Sequence, residues 1–462
     1  MFLPRLPYLA MALSSIAAHP ATAAVRYAKP VASGFGNCTS WANACTLLSA
    51  MGAAQDGDEV WVQAGTYFPN GLLALKDGVK LIGGFAGIES SASQSNPRAN
   101  PTIVDGGGTS QGVGSSGNAP SAVLRGFTLQ NGQGGSDDGG GLPLEDSNAL
   151  IVDCVFTNNR ASFGGAVGIR GSGSPQFINC IFRDNGDATG ASPLGGGAVY
   201  VRDHGTPSFV NSLFYGNLAA EGGGAHVAGA FPVFTNCTMA HNEATITHGG
   251  ALWDAAGRTL LKNCILWNNV AARGLGASDQ ILAGGGGAAL ATHCDIQGGW
   301  PGSTNINVDA QFVNSTAGYY ALAGTSPCKD AGDDATLPPD SGDLDWDGDV
   351  DEPIPYDLAF KDRLRGAAVD MGAYELQCDG PCTGACCDLD PLGSCTDGAT
   401  AAECDCPHCE WFEKTVCADV ACVRESIPTV SNWGLAILAI FLATCAKVRF
   451  GYLASRPAAR HS

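Results

Sequence analysis

The sequence predicts an all-β protein, a right-handed parallel β-helix, and three observations lead there. The first is a phrase that recurs: CVFTNN with GGAV, CIFRDN with GGGAV, SLFYGN with GGGAH, CTMAHN with HGGAL, and CILWNN. Its positions form columns: Cys154, Cys180, Ser212, Cys237, Cys264; then Phe156, Phe182, Phe214, Met239, Leu266; then Asn159, Asn185, Asn217, Asn242, Asn269. The copies are 26, 32, 25 and 27 residues apart, a period that marks a stacked array. The second is that each copy holds short β-prone runs, such as SPQFINCIF and GGAVYV, parted by Gly, Asn and Asp clusters. The third is that residues 58–300 show no sustained helical period, which argues against helical repeats.

Taken in chain order, the N-terminus reads as an export signal over residues 1–23. Arg5 precedes an apolar run at 6–18, followed by Pro20 and the small-residue site Ala21-Thr22-Ala23. Export suits the 19 cysteines, because an oxidising compartment permits disulfides. Residues 24–57 form an N-terminal cap. In SWANACTLLSAM (40–51), Ser40 is placed as a helix cap, and Trp41, Leu47, Leu48 and Met51 give an apolar face to lay on the first coil. Cys38 and Cys45 flank its first turns and are placed to bond to each other.

Residues 58–310 are the β-helix. EVWVQAGTY, VKLIGGF, PTIVDGG and VLRGFTLQNG read as earlier, weaker coils, and THCDIQGGW as a late one with Cys294 and Ile296 in column; about ten coils result from the period. Stacking assigns the columns. The Phe, Met or Leu points inward. The Asn sits in a turn, tolerates left-handed backbone, and bonds through its amide to the Asn above and below. The Cys column is expected as buried free thiols, since stacked strands hold the Cβ atoms ~4.8 Å apart, too far for an unstrained bridge.

Residues 311–377 are expected to cap the far end and to carry an acidic loop. DLDWDGDVDE (343–352) sets Asp343, Asp345, Asp347, Asp349 and Asp351 at every second position around Gly348. Alternate oxygens at a Gly turn suit a Ca²⁺ shell and match the start of an EF-hand loop, although Ile354 stands at the twelfth position. A solvated acidic turn is the other reading. Residues 378–425 hold ten cysteines (378, 382, 386, 387, 395, 404, 406, 409, 417, 422) and read as a small disulfide module. A zinc site is the other reading, since CDCPHC places His408 among thiols, but two clean CxxC pairs are lacking. Residues 426–462 carry an apolar run at 433–446 and then Lys447, Arg449, Arg456 and Arg460, the layout of a short hydrophobic helix with a cytoplasmic basic end. That run is shorter than the ~20 residues of a stable span.

On these residues the chain resembles known families. The FxxN plus GGA[VIL] alternation resembles the repeats of polymorphic outer membrane proteins, and the wider pattern resembles secreted bacterial β-helix proteins of the pectate-lyase-like class. SWANACTLLSAMGAAQDGDEVWVQAGTYFP resembles their start; YYALAGTSPCKDAG and VDMGAYE resemble their end. The membrane barrel of the polymorphic proteins is not expected in the 87 residues from 376 to 462. CDGPCTGACC resembles small GACC modules of secreted bacterial proteins. IPTVSNWG is similar to IPTL-type C-terminal sorting signals, with Asn432 where Glu is usual, which implies a transient tether, a sorting protease as partner and delivery to the cell surface.

Function is less legible. A net charge of −20 speaks against a nucleic-acid partner. Related lyases need clustered Asp for Ca²⁺ and an Arg or Lys base on one strand face, and the NTD, DD and GHG set of polygalacturonases does not occur here as a set. The candidates for a ligand are Arg170 and Arg202, at equal offsets after their Gly-Gly, with Asp203, His226 and Asp254; Gly229 and Ala255 follow the two Arg in the next coils. Two stacked Arg can grip a carboxylate-bearing sugar, or serve as solvated ladder charges. Three readings stand: an exported display or adhesion scaffold without catalytic residues, a binder of cell-surface glycans or envelope components, and a lyase or hydrolase of acidic polysaccharides. No cofactor is expected beyond Ca²⁺.

Overall fold

The computed structural model describes residues 23–377, except 117–120, 136–138, 187–193, 247–248 and 273–276, and the backbone of three later strands. The chain is a right-handed parallel β-helix. Three parallel sheets of ten, nine and eight strands run along it, each coil giving one strand to each sheet in turn. The coil around the Phe182 position shows the plan: Gln176–Ile178 in the first sheet, Ile181–Arg183 in the second, Val199–Arg202 in the third. The first sheet begins before the cap, because Val25–Ala28 pairs in parallel with Glu59–Gln63.

The interior is one continuous core. Phe156, Phe182 and Phe214 are in register and their rings stack with centroids 4.8 and 4.5 Å apart. Met239 and Leu266 continue the column. A second stack that the repeat reading overlooked faces it from the first sheet: Phe177, Phe209 and Phe234, 4.8 and 4.7 Å apart. Its signal was in the sequence, a Phe three residues before each of Cys180, Ser212 and Cys237. Cys154, Cys180, Cys237, Cys264 and Cys294 are buried free thiols, as the strand spacing requires.

The Asn column is a ladder. Each amide donates to the next Asn, at 3.1, 3.0, 2.8 and 2.8 Å from Asn159 to Asn269. Gln280 supplies the last rung, accepting from Asn269 Nδ2 at 2.7 Å. One expectation is corrected. The left-handed residue is not the ladder Asn but its predecessor: Asn158, Asp184, Gly216, His241 and Asn268, with φ between 53° and 64°. That single residue turns the chain, and the ladder Asn that follows can then aim its side chain into the stack.

The cap also differs from the expectation in detail. Ser40 caps a one-turn 3₁₀ segment, Trp41–Asn43, and Thr46 is the N-cap of the α-helix Leu47–Ala53. Leu47, Ala50 and Met51 bury against the core, whereas Leu48 is exposed. The Cys38–Cys45 disulfide is present.

The segment after residue 310 is not a lid on the last coil. Trp300 packs on the end of the core, its indole donating to Ala289 O at 3.3 Å. Residues 311–377 instead form a strap running back along the outside of the stack. Asn263 bonds to Asp333 and Thr336, Arg125 to the carbonyls of Gly342, Asp343 and Leu344, and on the return Asn211 bonds to Tyr356 O and Asn236 to Asp370 O. Leu344 and Ile354 bury the outward Val152, Ile178 and Val210 of the first sheet. Tyr320, Leu358, Met371 and Ala373 cover Leu213, Ala240 and Ile265 of the second. VDMGAYE is part of this strap: Asp370 and Glu375 surround the fully buried Arg363, whose Nη2 donates to Asp370 O and Gly372 O. Burial pushes Glu375 up to about 8, with Arg363 opposing the shift.

Among the later residues, Thr383–Asp388 pairs antiparallel with Cys395–Thr400 and with Cys409–Glu413. The expected export signal (apart from Ala23), the disulfides of the Cys-rich module and the sorting segment at 426–462 lie outside the described residues. Among those described, no helix is long and apolar enough to cross a membrane.

Candidate functional site

Two places gather the predicted site residues. One is the outer face of the third sheet; among the described residues the strap's hydrophobic clusters lie on the first and second sheets. The other is the acidic loop of the strap.

On the third sheet, Val199 and Val201 point inward, so Tyr200 and Arg202 point outward, and register carries this alternation to the neighbouring strands. Tyr200, His226 and Trp253 are in register on successive strands. With Phe163 they make an outer aromatic column: Phe163–Tyr200 centroids are 4.8 Å apart, Tyr200–His226 5.1 Å, His226–Trp253 6.1 Å. Arg170 and Arg202 hold the same position, one residue beyond the paired Ile169 and Val201. Arg170 is already engaged, its Nη2 2.8 Å from Glu145 Oε2, and Arg202 Nη1 lies 3.2 Å from Asp203 Oδ2. Beside Arg202 on the next strand is Ala228, not Gly229. The two runs of three Gly are offset by one, since Gly195 pairs with Glu221, so Gly222–Gly224 start one position later than Gly195–Gly197.

Two candidates have structural roles. Asp254 is fully buried, and its carboxylate accepts from Gly257 N (2.6 Å), Thr259 N (3.0 Å) and Thr259 Oγ1 (2.7 Å), closing the turn to the next first-sheet strand. It is therefore not a ligand-facing acid. His226 is 7% exposed, wedged between Tyr200 and Trp253 with no room for even a Cβ on the overlying Gly195. Burial lowers its pKa to about 4, so the imidazole is neutral at pH 7. Glu221 Oε2, 3.9 Å from its Nδ1, is the nearest acid.

This gives a stability prediction with a defined sign. A His whose folded pKa lies below its ordinary ~6.5 contributes stability that is full above that value and lost as pH falls towards 4. His226→Phe, which continues the aromatic column, should remove up to about 3 kcal/mol of that acid-side loss. Denaturant unfolding of both proteins at pH 7 and pH 4.5 measures it; parallel pH curves would refute the assignment.

In the strap, the acidic residues are brought together differently from their spacing. Carboxylate oxygens of Asp340, Asp345 and Glu352 lie within 4.8 Å of one another, and so do those of Asp343, Asp345 and Asp347. Asp349 and Asp351 belong to neither group. Within the loop, Asp347 Oδ1 accepts from Asp349 N at 2.7 Å and Asp349 Oδ1 from Asp351 N at 3.0 Å. Ile354, at the twelfth position of the EF-hand reading, is buried against the first sheet. Asp340 and Glu352 were missed because they fall outside the alternating pattern.

A family model agrees with this architecture over the central coils. Residues 111–299 match the family model of a right handed beta helix region. Among solved structures, the chain is similar to a pectate lyase, Pel9A: 13% identity, TM-score 0.34, covering 76% of this chain and 96% of that one. A rhamnogalacturonan lyase is similar at 13% identity and TM-score 0.26, over 63% of this chain and 90% of that one. Neither likeness bears on activity. No curated protein matches the sequence.

Proposed function

We propose that the chain is an exported β-helix that acts as a rigid display or adhesion scaffold at the cell surface. The observation that carries this reading is how the outer positions of the third sheet are used. Arg170 is paired with Glu145, Arg202 with Asp203, Asp254 is spent on a turn, and His226 is a neutral packed ring. These are residues that stiffen a surface. A second reading, a binder of cell-surface glycans, is favoured by the aromatic column from Phe163 to Trp253 beside the half-exposed Arg170–Glu145 pair, since aromatic rings and bidentate Arg suit sugars bearing carboxylates.

Export and sorting are part of the proposal. Asp58 supports cleavage after Ala23: its Oδ1 is 2.8 Å from Ala24 N, and its Oδ2 is 3.1 Å from Arg26 Nη2. A new α-ammonium at Ala24 would meet a carboxylate already held in place. The sorting segment is proposed to tether the chain in the membrane until a protease releases it near Ser426.

Intact-mass measurement on protein from the native cell should give a chain from about Ala24 to about Ser426. A mature form that keeps Ser462 would overturn the sorting step. On the same protein, an unsaturated-uronate absorbance assay with acidic polysaccharides should show no turnover. Turnover abolished by Arg170→Ala would replace the scaffold by a lyase, and glycan-array binding abolished by it would favour the second reading.

A further inference from the structure

The acidic loop is fastened at a neck. Pro339 and Pro353 form an antiparallel bridge, Ile354 N donates to Pro338 O at 3.1 Å, and Asp340 N donates to Glu352 O at 2.7 Å. The neck holds the Asp340 and Glu352 side chains next to each other at the mouth of the loop. Asp343 and Trp346 take left-handed backbone, with φ 45° and 64°, and bend the chain so that Asp345 comes back to that pair.

What sets this cluster apart from an ordinary acidic turn is Asp340. It is fully buried, its Oδ2 accepts from Leu344 N at 2.7 Å, and its Oδ1 has no partner. Glu352 is only half-buried, but its Oε1 is screened from solvent and without a partner. A buried carboxylate oxygen with nothing to bond to is costly, and two of them beside a third carboxylate repel one another as well. Burial, with the nearby Asp345 and Asp343 adding to it against the Leu344 hydrogen bond, pushes the Asp340 carboxyl up to about 6. All the donors are carboxylate oxygens with no His or Cys, the donor set of a hard divalent cation; supply from a flexible loop suits Ca²⁺ better than the strictly octahedral Mg²⁺.

We propose that the loop binds one Ca²⁺ through Asp340, Asp345 and Glu352, with Asp343 and Asp347 adding oxygens beside Asp345. The site differs from an EF-hand loop: its acidic partner is Glu352, ahead of the twelfth position, and its anchor is Asp340, ahead of the first. The ion would also hold the strap to the coils. Arg125, on the outer face of the first sheet and buried beneath the strap, donates to the carbonyls of Gly342, Asp343 and Leu344 and lies 4.1 Å over the Trp346 ring. Neutralising the carboxylates would fix the same turn that Arg125 grips, so Ca²⁺ binding and strap docking should stabilise each other.

The test uses the full chain. Calorimetric titration with Ca²⁺ should show one site, and Tb³⁺ in its place should emit on excitation of Trp346. Asp340→Asn keeps an oxygen for Leu344 N and should weaken binding at least about tenfold, a loss that even outer partners of metal ligands produce. Asp351→Asn, outside both oxygen groups, should bind as the parent does. Millimolar Ca²⁺ should raise the melting temperature of the parent and of Asp351→Asn, but not of Asp340→Asn. Should Asp340→Asn fail to fold, Glu352→Gln replaces it with the same expected loss. Absence of heat at millimolar Ca²⁺, or affinities equal in parent and Asp340→Asn or Glu352→Gln, would overturn the proposal.

Discussion

Replacing Phe182 with Asp is expected to unfold the coils around it and to cost at least about 5 kcal/mol. The ring is fully buried and stacks between Phe156 and Phe214, while Phe177 and Phe209 meet it from the first sheet with centroids 5.9 and 6.1 Å away. Losing such a ring costs ~3–5 kcal/mol, and a carboxyl without a partner in the space left adds several more whether ionised or neutral. That sum is on the scale of a whole domain's stability. In a stack where each coil touches only its neighbours, the loss falls first on the adjacent coils. Hydrogen exchange should lose protection in Val155–Thr157 and Leu213–Tyr215 before the distant Glu59–Gln63. Phe182→Leu is the control, since Leu266 already fills the same column two coils on from Phe214, and should cost about 1–2 kcal/mol. If the Asp variant melts with the parent, the ring does not face the core.

The same columns explain why the fold could be read from the sequence and the candidate site could not. A β-helix repeats its local environment, so one interior position writes the same residue type every coil: Phe156, Phe182, Phe214, and the Asn beside each. Period alone then carries the parallel register. The strap has no period. Its contacts join residues far apart in sequence, Arg125 to Leu344 and Asn236 to Asp370, and nothing local announces them. Asp340 and Glu352 were invisible for a related reason: their proximity comes from the neck at Pro339 and Pro353, not from spacing. Gln280 closes the Asn ladder from outside the motif, through a different side chain. The outer face of the third sheet was half legible. Equal offsets put Arg170 and Arg202 at one position of the coil, but an offset cannot show that Glu145 is opposite Arg170 or that Asp254 turns inward to Thr259.

The adjacent pair Asn158 and Asn159 should respond in opposite ways to substitution, and this is the sharpest test of how the ladder is built. Asn159→Ala is expected to cost roughly 3–5 kcal/mol, and Asn158→Gly to stay within about 0.5 kcal/mol of the parent. Asn159 is fully buried and its amide is well used: Oδ1 accepts from Gly132 N at 2.8 Å, and Nδ2 donates to Leu129 O at 2.9 Å and to Asn185 Oδ1 at 3.1 Å. Truncation leaves Gly132 N and Leu129 O buried without that partner, and each such orphan costs ~1–3 kcal/mol, beyond the hydrogen bonds themselves. Asn185 Oδ1 still receives Asn159 N at 3.1 Å, which keeps the damage local to one rung. Asn158 is exposed and sits at φ 55°, a region that Gly enters at no steric cost. Its replacement by Val, which resists that backbone, should instead destabilise by about 1–2 kcal/mol. Thermal or denaturant unfolding of the three variants distinguishes the roles. Were Asn158→Gly and Asn159→Ala to cost the same, the two residues would share one role in the turn, and the ladder would not be what joins coil to coil at this corner.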